Sequence, residues 1–505
     1  MHRPTVRAAL VLFCILLALP ARAADDSGPV VTTFGEPSQP IDLSGDVNLQ
    51  DCVALALGRN FTVRIQKFQV YEAVDGVVVQ QAAFEPIFGF NANRQVSQPT
   101  VNESEFGIPY NTAVDTAALS INDTLITGAT LSGNYNLVRT NESPAFFPPN
   151  PSFGSNVSIS VTQPLLQGAG TDYNRAAIEN ARLGVRISNL NFKSTVLTMI
   201  LNVENTYFNL LYQREQYKVQ EDDLKQAQQL LDENTIRRQT GVLTDLDVMN
   251  ARAGVASAQN LLILDEQAVR NSEDSLLQLL GDREFKIAVG DIKFPVVGEP
   301  EVSFARSYKL AREDGPNLAI AQATIDQYKL SALKAKRNML PTLNVNGGLG
   351  YSSYASSASQ SVTGAWNGYN WTAGLTLSVP WGMRANRALY HQALSQVRSQ
   401  EAAYEQADQN LVVSVRSAVR AVETGIESTR SSAENTKFAT KAYELTKAQF
   451  DAGLATSYLV LQSQNTLETA RVSELQAKVN LLSAIANLRF LEGASLQLYR
   501  INLPE

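Results

Sequence analysis

Apolar and polar positions follow two different periods along this chain, and the two alternate in long blocks. Val157, Ile159 and Val161 alternate with Ser158, Ser160 and Thr162, and Trp371, Ala373, Leu375, Leu377 and Val379 alternate with Thr372, Gly374, Thr376 and Ser378. The same period of two runs through Ala129, Leu131, Gly133, Tyr135 and Leu137 and through Leu343, Val345, Gly347, Leu349 and Tyr351. Such alternation predicts strands with one apolar face and one face of small polar residues. It suits a membrane barrel with lipid outside and water inside, and it suits a water-soluble sandwich equally. Elsewhere the spacing is helical. Val412, Val415, Val419, Val422 and Ile426 step by three and four, as do Val196, Ile200, Val203 and Tyr207. This is coiled-coil spacing. Asn202, Asn205, Ser414 and Ser417 interrupt the seam and predict a larger, partly wet bundle.

Proline marks where the helices run. The chain has 19 prolines, yet none between Pro164 and Pro295 or between Pro380 and Pro504. An interior proline costs a helix about 3 kcal/mol, so these gaps predict uninterrupted helices, from about Tyr173 to Gln239 and from about Arg387 to Phe450. Each is ~100 Å long at 1.5 Å per residue. Each ends at a glycine turn, Gly241 or Gly453, and a shorter helix returns. The chain therefore reads as an internal repeat. Repeat one is 47–300: helix 47–85, β region 86–164, long and return helices 170–280, equatorial segment 281–300. Repeat two is 301–505: helix 301–340, β region 341–380, long and return helices 384–492, C-terminal segment 493–505.

Matching lengths suggest that the return helix Asp245 to Leu280 stacks end to end with helix Val302 to Leu340. The same argument stacks Ser457 to Leu491 on Leu49 to Phe84. Residues 281–300 then form a mid-height collar with a strand at Lys286 to Val289. Region 341–380 fits one hairpin with an exposed loop near 352–362. Region 86–164 holds four alternating pieces, near 87–97, 113–123, 129–139 and 155–163, of which one hairpin is extra. Four to six strands cannot enclose a water-filled pore, so several chains must share one barrel.

Residues 1–23 read as a signal peptide, with Arg3 and Arg7, an apolar core from Ala8 to Leu19, and Ala21-Arg22-Ala23 as the cleavage site. Residues 24–46 read as an extended lead-in. Losing Arg3, Arg7 and Arg22 takes the formal net charge from −7 to −10. Nucleic-acid binding is not expected. Cys52 is then the single remaining cysteine, which excludes an intrachain disulfide and a cysteine-based metal site. No later stretch has the ~20 apolar residues of a spanning helix, so any membrane crossing must use strands. The mature chain has one histidine, His391, and no nucleophile motif, metal-ligand set or phosphate-binding loop. No enzyme activity, cofactor or metal is expected, and transport energy must come from elsewhere. The competing reading is a structural coiled-coil protein of the envelope without a pore.

The order and duplication of several motifs carry a resemblance. They are Ala54-Leu55-Ala56-Leu57-Gly58-Arg59-Asn60, the junctions Gln163-Pro164-Leu165-Leu166-Gln167-Gly168-Ala169-Gly170 and Val379-Pro380-Trp381-Gly382, and two turns. The turns are Thr240-Gly241-Val242-Leu243-Thr244-Asp245-Leu246-Asp247-Val248 and Ala452-Gly453-Leu454-Ala455-Thr456-Ser457-Tyr458-Leu459-Val460. From about residue 46 to 493 the chain resembles the TolC family of outer-membrane efflux proteins. The resemblance implies an α+β membrane protein of a Gram-negative outer membrane. Three chains would share one β-barrel of twelve strands, or more through the extra hairpin, continuous with a helical coiled-coil barrel across the periplasm. It implies an exit duct for tripartite efflux or type I secretion, with a periplasmic adaptor (membrane fusion) protein and an inner-membrane pump of RND or ABC type.

Gly241 and Gly453 are expected to supply left-handed backbone where each helix reverses. Val242, Leu243, Leu454 and Ala455 put apolar side chains at the tips, where the resemblance places adaptor contact, beside Thr244 and Thr456. Thr244 and Asp247 have capping-box spacing, and Asp245 suits the helix dipole. Asp245 and Asp247 from three chains would also make an acidic ring at the mouth. Ala455, Leu459 and Gln462 stand where the family pattern has an Arg and two Asp, which argues against a salt-bridged gate. Trp366, Trp371 and Trp381 all fall in or beside the second strand region and suit interface anchoring or ordinary packing.

Overall fold

A computed structural model describes residues 45, 47–98, 111–145, 148–282, 285, 289–295, 302–363 and 368–501. The expected signal peptide, most of the lead-in, Trp366, and Lys286 to Ala288 of the expected collar strand lie outside the described residues. The first half runs α1 (Leu49–Arg59), α2 (Phe61–Gln81), β1 (Ile87–Ser97), β2 (Asn111–Thr124), β3 (Thr130–Ser143), β4 (Ser152–Pro164), α3 (Thr171–Gln239) and α4 (Asp245–Leu279). The second runs α5 (Phe304–Asp314), α6 (Pro316–Arg337), β5 (Thr342–Ala355), α7 (Ala358–Thr363), β6 (Gly368–Ser378), α8 (Arg384–Asp451), α9 (Ser457–Glu492) and α10 (Ser495–Leu498).

Two expected helices are each broken once. Between α1 and α2, Asn60 takes an extended ψ of 132°, and its side chain accepts from the Thr62 amide at 2.8 Å. Between α5 and α6, Gly315 is extended because Pro316 follows, and proline is at home in the first turn of a helix. These breaks decide the stacking, and they reverse the expected one. The end of α4 abuts the first break: Asn60 Nδ2 donates to the Leu279 carbonyl at 3.0 Å, and a Cβ on Gly281 would lie 3.0 Å from the Arg59 carbonyl oxygen. The end of α9 abuts the second, where a Cβ on Gly493 would lie 3.2 Å from Asp314. Each return helix thus stacks on the short helices of its own half. Length could not discriminate, because either partner fills the same distance along the long helix.

All six main strands form one antiparallel sheet in chain order, β1 to β6. The extra hairpin β1–β2 is therefore part of the sheet, hydrogen-bonded to β3 over the length from Asn111↔Ser143 to Thr124↔Thr130. The register puts most apolar positions of the strands on one face. Phe90, Leu119, Tyr135, Val157, Tyr351 and Tyr369 are cross-strand neighbours, as are Phe88, Ile121, Gly133, Ile159, Leu349 and Trp371. The opposite face is mostly Asn, Ser, Thr and Gly, with Ile87, Val114, Val138 and Tyr354 among its exceptions and Glu142 its one charged residue among the described strands. Near the far end of the apolar face a single row holds Arg94, Asp115 and Arg139, with ion pairs of 3.5 and 3.2 Å to Asp115. The link between β5 and β6 is not a plain exposed loop. It contains α7, whose Ser361 is buried and accepts through its carbonyl from Ser155 Oγ at 2.5 Å.

The helices make one layer hung from the sheet. Nearest the sheet the order is α2, α3, α6, α8; toward the glycine turns it is α4, α3, α9, α8. The seam residues Val196, Ile200, Val203 and Tyr207 are buried, as are Val415, Val419 and Val422. Of the polar residues expected to interrupt the seam, Ser414, Ser417 and Asn202 are exposed, whereas Asn205 is half-buried. The main core surrounds the middle of α3, where Cys52, Val53, Leu210, Leu276 and Leu280 converge. The collar segment crosses here. Arg214 donates to the carbonyls of Gly290 (2.6 Å) and Val289 (2.7 Å), and Tyr207 donates to those of Val47 (3.1 Å) and Lys293 (3.3 Å). Val289 is buried but lies outside any strand.

Candidate docking tip and channel wall

The two glycine turns are built alike because each solves the same local problem, four orphan carbonyls at the end of a long helix. Gly241 has φ of 81°, and the Val242 amide donates back to the Arg237 carbonyl at 2.9 Å; Gly453 has φ of 75°, and Leu454 donates to Gln449 at 2.8 Å. Both are Schellman-type closures. A Cβ on either glycine would meet nothing within 4 Å, so backbone conformation alone calls for glycine there.

The return helices start on threonine. Thr244 forms the full capping box: its hydroxyl accepts from the Asp247 amide at 3.3 Å, while Asp247 Oδ2 accepts from the Thr244 amide at 3.0 Å and from its hydroxyl at 2.6 Å. Thr456 caps through the Leu459 amide at 3.4 Å, and leucine there offers no reciprocal acceptor.

The apolar tip residues divide into two roles. Val242 is 70% exposed and Leu454 82% exposed, whereas Leu243 and Ala455 fold under and pack on Leu230, Phe450 and Val460. Sequence reasoning missed the exposure of Leu246 and Tyr458, which follow the caps in the first turns of the return helices. Their helical register, two residues beyond each cap, was the signal that would have found them. It also missed Arg237, which ties the two turns together. Its guanidinium donates to the Phe450 carbonyl at 2.8 Å, pairs with Asp451 at 3.2 Å and lies 4.2 Å above the Phe450 ring. Nothing local marks Arg237, since its partners are 213 and 214 residues away. Buried Asn234 adds a second tie by donating to Ser457 Oγ at 2.6 Å.

The two acids at the first tip are both engaged within the chain. Asp247 belongs to the cap, and Asp245, although highly exposed, pairs with Arg238 at 2.7 Å. The Arg237–Asp451 and Arg238–Asp245 pairs place charge at the tip through residues other than the second-tip positions Ala455, Leu459 and Gln462.

Higher up, acids lie between helices. Gln464 Nε2 donates to Asp223 at 2.7 Å, and Gln216 donates to Asp265 at 2.9 Å. Burial raises the carboxyl pKa of Asp223, Asp265 and Glu468. At the level of the collar, buried Glu204 accepts from the Tyr499 hydroxyl at 2.7 Å; burial raises its pKa against the lowering effects of that hydrogen bond and of Arg489. Burial likewise pushes the Cys52 thiol up to about 12, which leaves it unreactive at neutral pH.

A sheet apolar on one face and neutral-polar on the other, mounted on ~100 Å helices, is the form of a membrane wall joined to a tunnel wall. Comparison with known proteins agrees. The family model for outer membrane efflux proteins matches residues 52–282 and 307–494. The chain is 27% identical over 345 residues to the pyoverdine export outer membrane protein OpmQ of Pseudomonas putida, covering 66% of this chain and 70% of OpmQ. It is 23% identical over 381 residues to outer membrane protein TolC of Vibrio cholerae, covering 74% and 83%. In fold it is similar to the Campylobacter jejuni CmeC outer membrane channel, with a TM-score of 0.68 and 15% identity over 93% of this chain and 95% of CmeC. This chain belongs to the outer membrane efflux protein family, located in the outer membrane of a Gram-negative cell with its helical body in the periplasm.

Proposed function

We propose that this protein is the exit duct of a tripartite efflux or type I secretion system. Three copies share one β-barrel and one helical tunnel, and substrates leave through it passively. The observation that carries this reading is the pairing of an incomplete wall with unfinished edges. The sheet has two free edge strands, and the helical layer ends at α8 on one flank and at α2 and α4 on the other. Those flank helices expose apolar side chains, among them Ile65, Phe68 and Val79 of α2, Ile263 and Leu264 of α4, and Val413 and Phe438 of α8. Further copies of the chain covering these flanks would remove that surface from water.

At the far end, Val242 and Leu454 form the apolar points of two turns held at fixed separation by Arg237. They are the proposed contacts for a periplasmic adaptor, with Gly241, Leu243, Thr244, Gly453, Ala455 and Thr456 shaping the turns beneath. The adaptor connects the duct to an inner-membrane pump of RND or ABC type, which supplies the energy. Asp245 and Asp247 of three copies form the proposed acidic ring, with Arg238 reducing the contribution of Asp245. The inner face of the sheet is almost uncharged, so ion preference would arise at the tip.

Planar-bilayer conductance of the purified protein tests the reading. Multi-chain pores with a cation preference that weakens in the D245N/D247N double variant are expected. A detergent-independent soluble monomer without conductance would overturn the duct, and unchanged selectivity would remove the acidic ring.

A further inference from the structure

The edge strands β1 and β6 have the same length, 11 residues each, and both leave one side of their backbone unpaired. In lipid an unpaired edge is untenable, because each unsatisfied N–H and C=O costs several kcal/mol with no water to accept it. We propose that β1 of one subunit pairs with β6 of the next and closes a barrel of eighteen strands, six from each of three chains. This inference rests on the trimeric duct proposed above.

Three features of the sheet support it. First, six is an even number, so β1 and β6 run in opposite directions and a rotation that brings them together makes an antiparallel, ring-closing interface. Second, the faces match. With Ile87 opposite the partner subunit's Ser378, both on the polar face, Phe88 meets the partner's Leu377, Phe90 meets the partner's Leu375, and Ala92 meets the partner's Ala373. Arg94 then lies across from the partner's Trp371, within reach of a cation–π contact. A slip of one residue would put every apolar side chain of one strand into the water-filled interior.

Third, the stagger is right for a barrel. The hydrogen-bonded register carries Ile87 across the sheet to Asn122, Ser132, Ser160, Gly348 and Thr372. Thr372 is six positions above Ser378, so with Ile87 opposite the partner's Ser378 each chain would contribute six residues of shear, as many as it has strands. With ~3.3 Å per residue and ~4.8 Å between strands this gives a tilt of roughly 35°, within the range of closed barrels. A barrel of eighteen such strands has a backbone radius of roughly 17 Å, against roughly 11 Å for twelve. The β1–β2 hairpin cannot be set aside to leave twelve. Its outward Phe88, Phe90, Leu119 and Ile121 continue the apolar face, and the Arg94–Asp115–Arg139 row binds its strands to β3.

Paired cysteines test the seam in the full-length protein in its own membrane. In A92C/A373C the two outward-facing Cβ atoms would sit ~5 Å apart across the seam, within disulfide range, while native Cys52 is buried. Oxidation is expected to give covalent dimers and trimers on non-reducing gels, lost on reduction and absent in each single variant. In a twelve-stranded barrel β3 would take the edge, and Y135C/A373C would cross-link instead. That result, or the absence of a ladder from both pairs, overturns the eighteen-strand seam. Trimer mass and pore conductance, measured on the same preparations, show separately whether the duct reading survives.

Discussion

Replacing Arg237 with Ala removes a side chain that joins the two tips. Its donation to the Phe450 carbonyl is a charge-assisted bond, for which loss costs about 1.5–3 kcal/mol. The stacking over the Phe450 ring adds ~0.5–1 kcal/mol. The pair with Asp451, half exposed, is discounted to nearly nothing by solvent. These contributions share one guanidinium and do not add fully, so the net expectation is about 2 kcal/mol of local stability, or roughly 30-fold in the opening equilibrium. The loss falls on the last turn of α8 and the Gly453 closure, and hydrogen–deuterium exchange resolved by peptide reads it directly. In R237A, the amides around residues 449–454 should exchange ~30-fold faster, with the collar peptides near Arg214 unchanged; R237K should fall between. Unaltered exchange at 449–454 would show that the turns are held by their own Schellman bonds and that Arg237 is dispensable.

Other substitutions separate the remaining forces. G241A should cost ~1 kcal/mol, from left-handed backbone alone, whereas G281A adds a clash with the Arg59 carbonyl and should lower the unfolding midpoint more. T244A should cost ~1 kcal/mol through loss of the capping box, and T456A less, as measured by denaturant midpoints. Glu204 makes stability pH-dependent with a defined sign. Its folded-state pKa is raised, so its favourable contribution is complete below the unfolded value and is lost as pH rises through the folded one. E204Q should therefore flatten the decline of thermal stability on the alkaline side of the usual glutamate range, and an unchanged slope would rule Glu204 out. V242D combined with L454D should abolish capture of a purified adaptor while leaving conductance intact; retained capture would move the contact elsewhere.

What the amino-acid sequence determined by itself was everything governed by local period. Strand alternation and the three-four stepping of Val412 to Ile426 are properties of neighbouring residues, so strands, long helices, glycine turns and the Thr244 cap were legible. The tertiary structure decided what depends on distant partners. The lengths of α4 and α9 fit either stacking, and contacts between Gly281 and Arg59, and between Gly493 and Asp314, chose the one within each half. The membership of β1 and β2 in the sheet rests on hydrogen bonds perpendicular to the chain, to which side-chain alternation is blind. Leu243 and Ala455 look as exposed as Val242 and Leu454 in sequence, and only the packing of Leu230, Phe450 and Val460 beneath them separates the two pairs. Arg237 is the clearest case: its side chain acts on groups more than two hundred residues away, one of them brought within 2.8 Å by the fold.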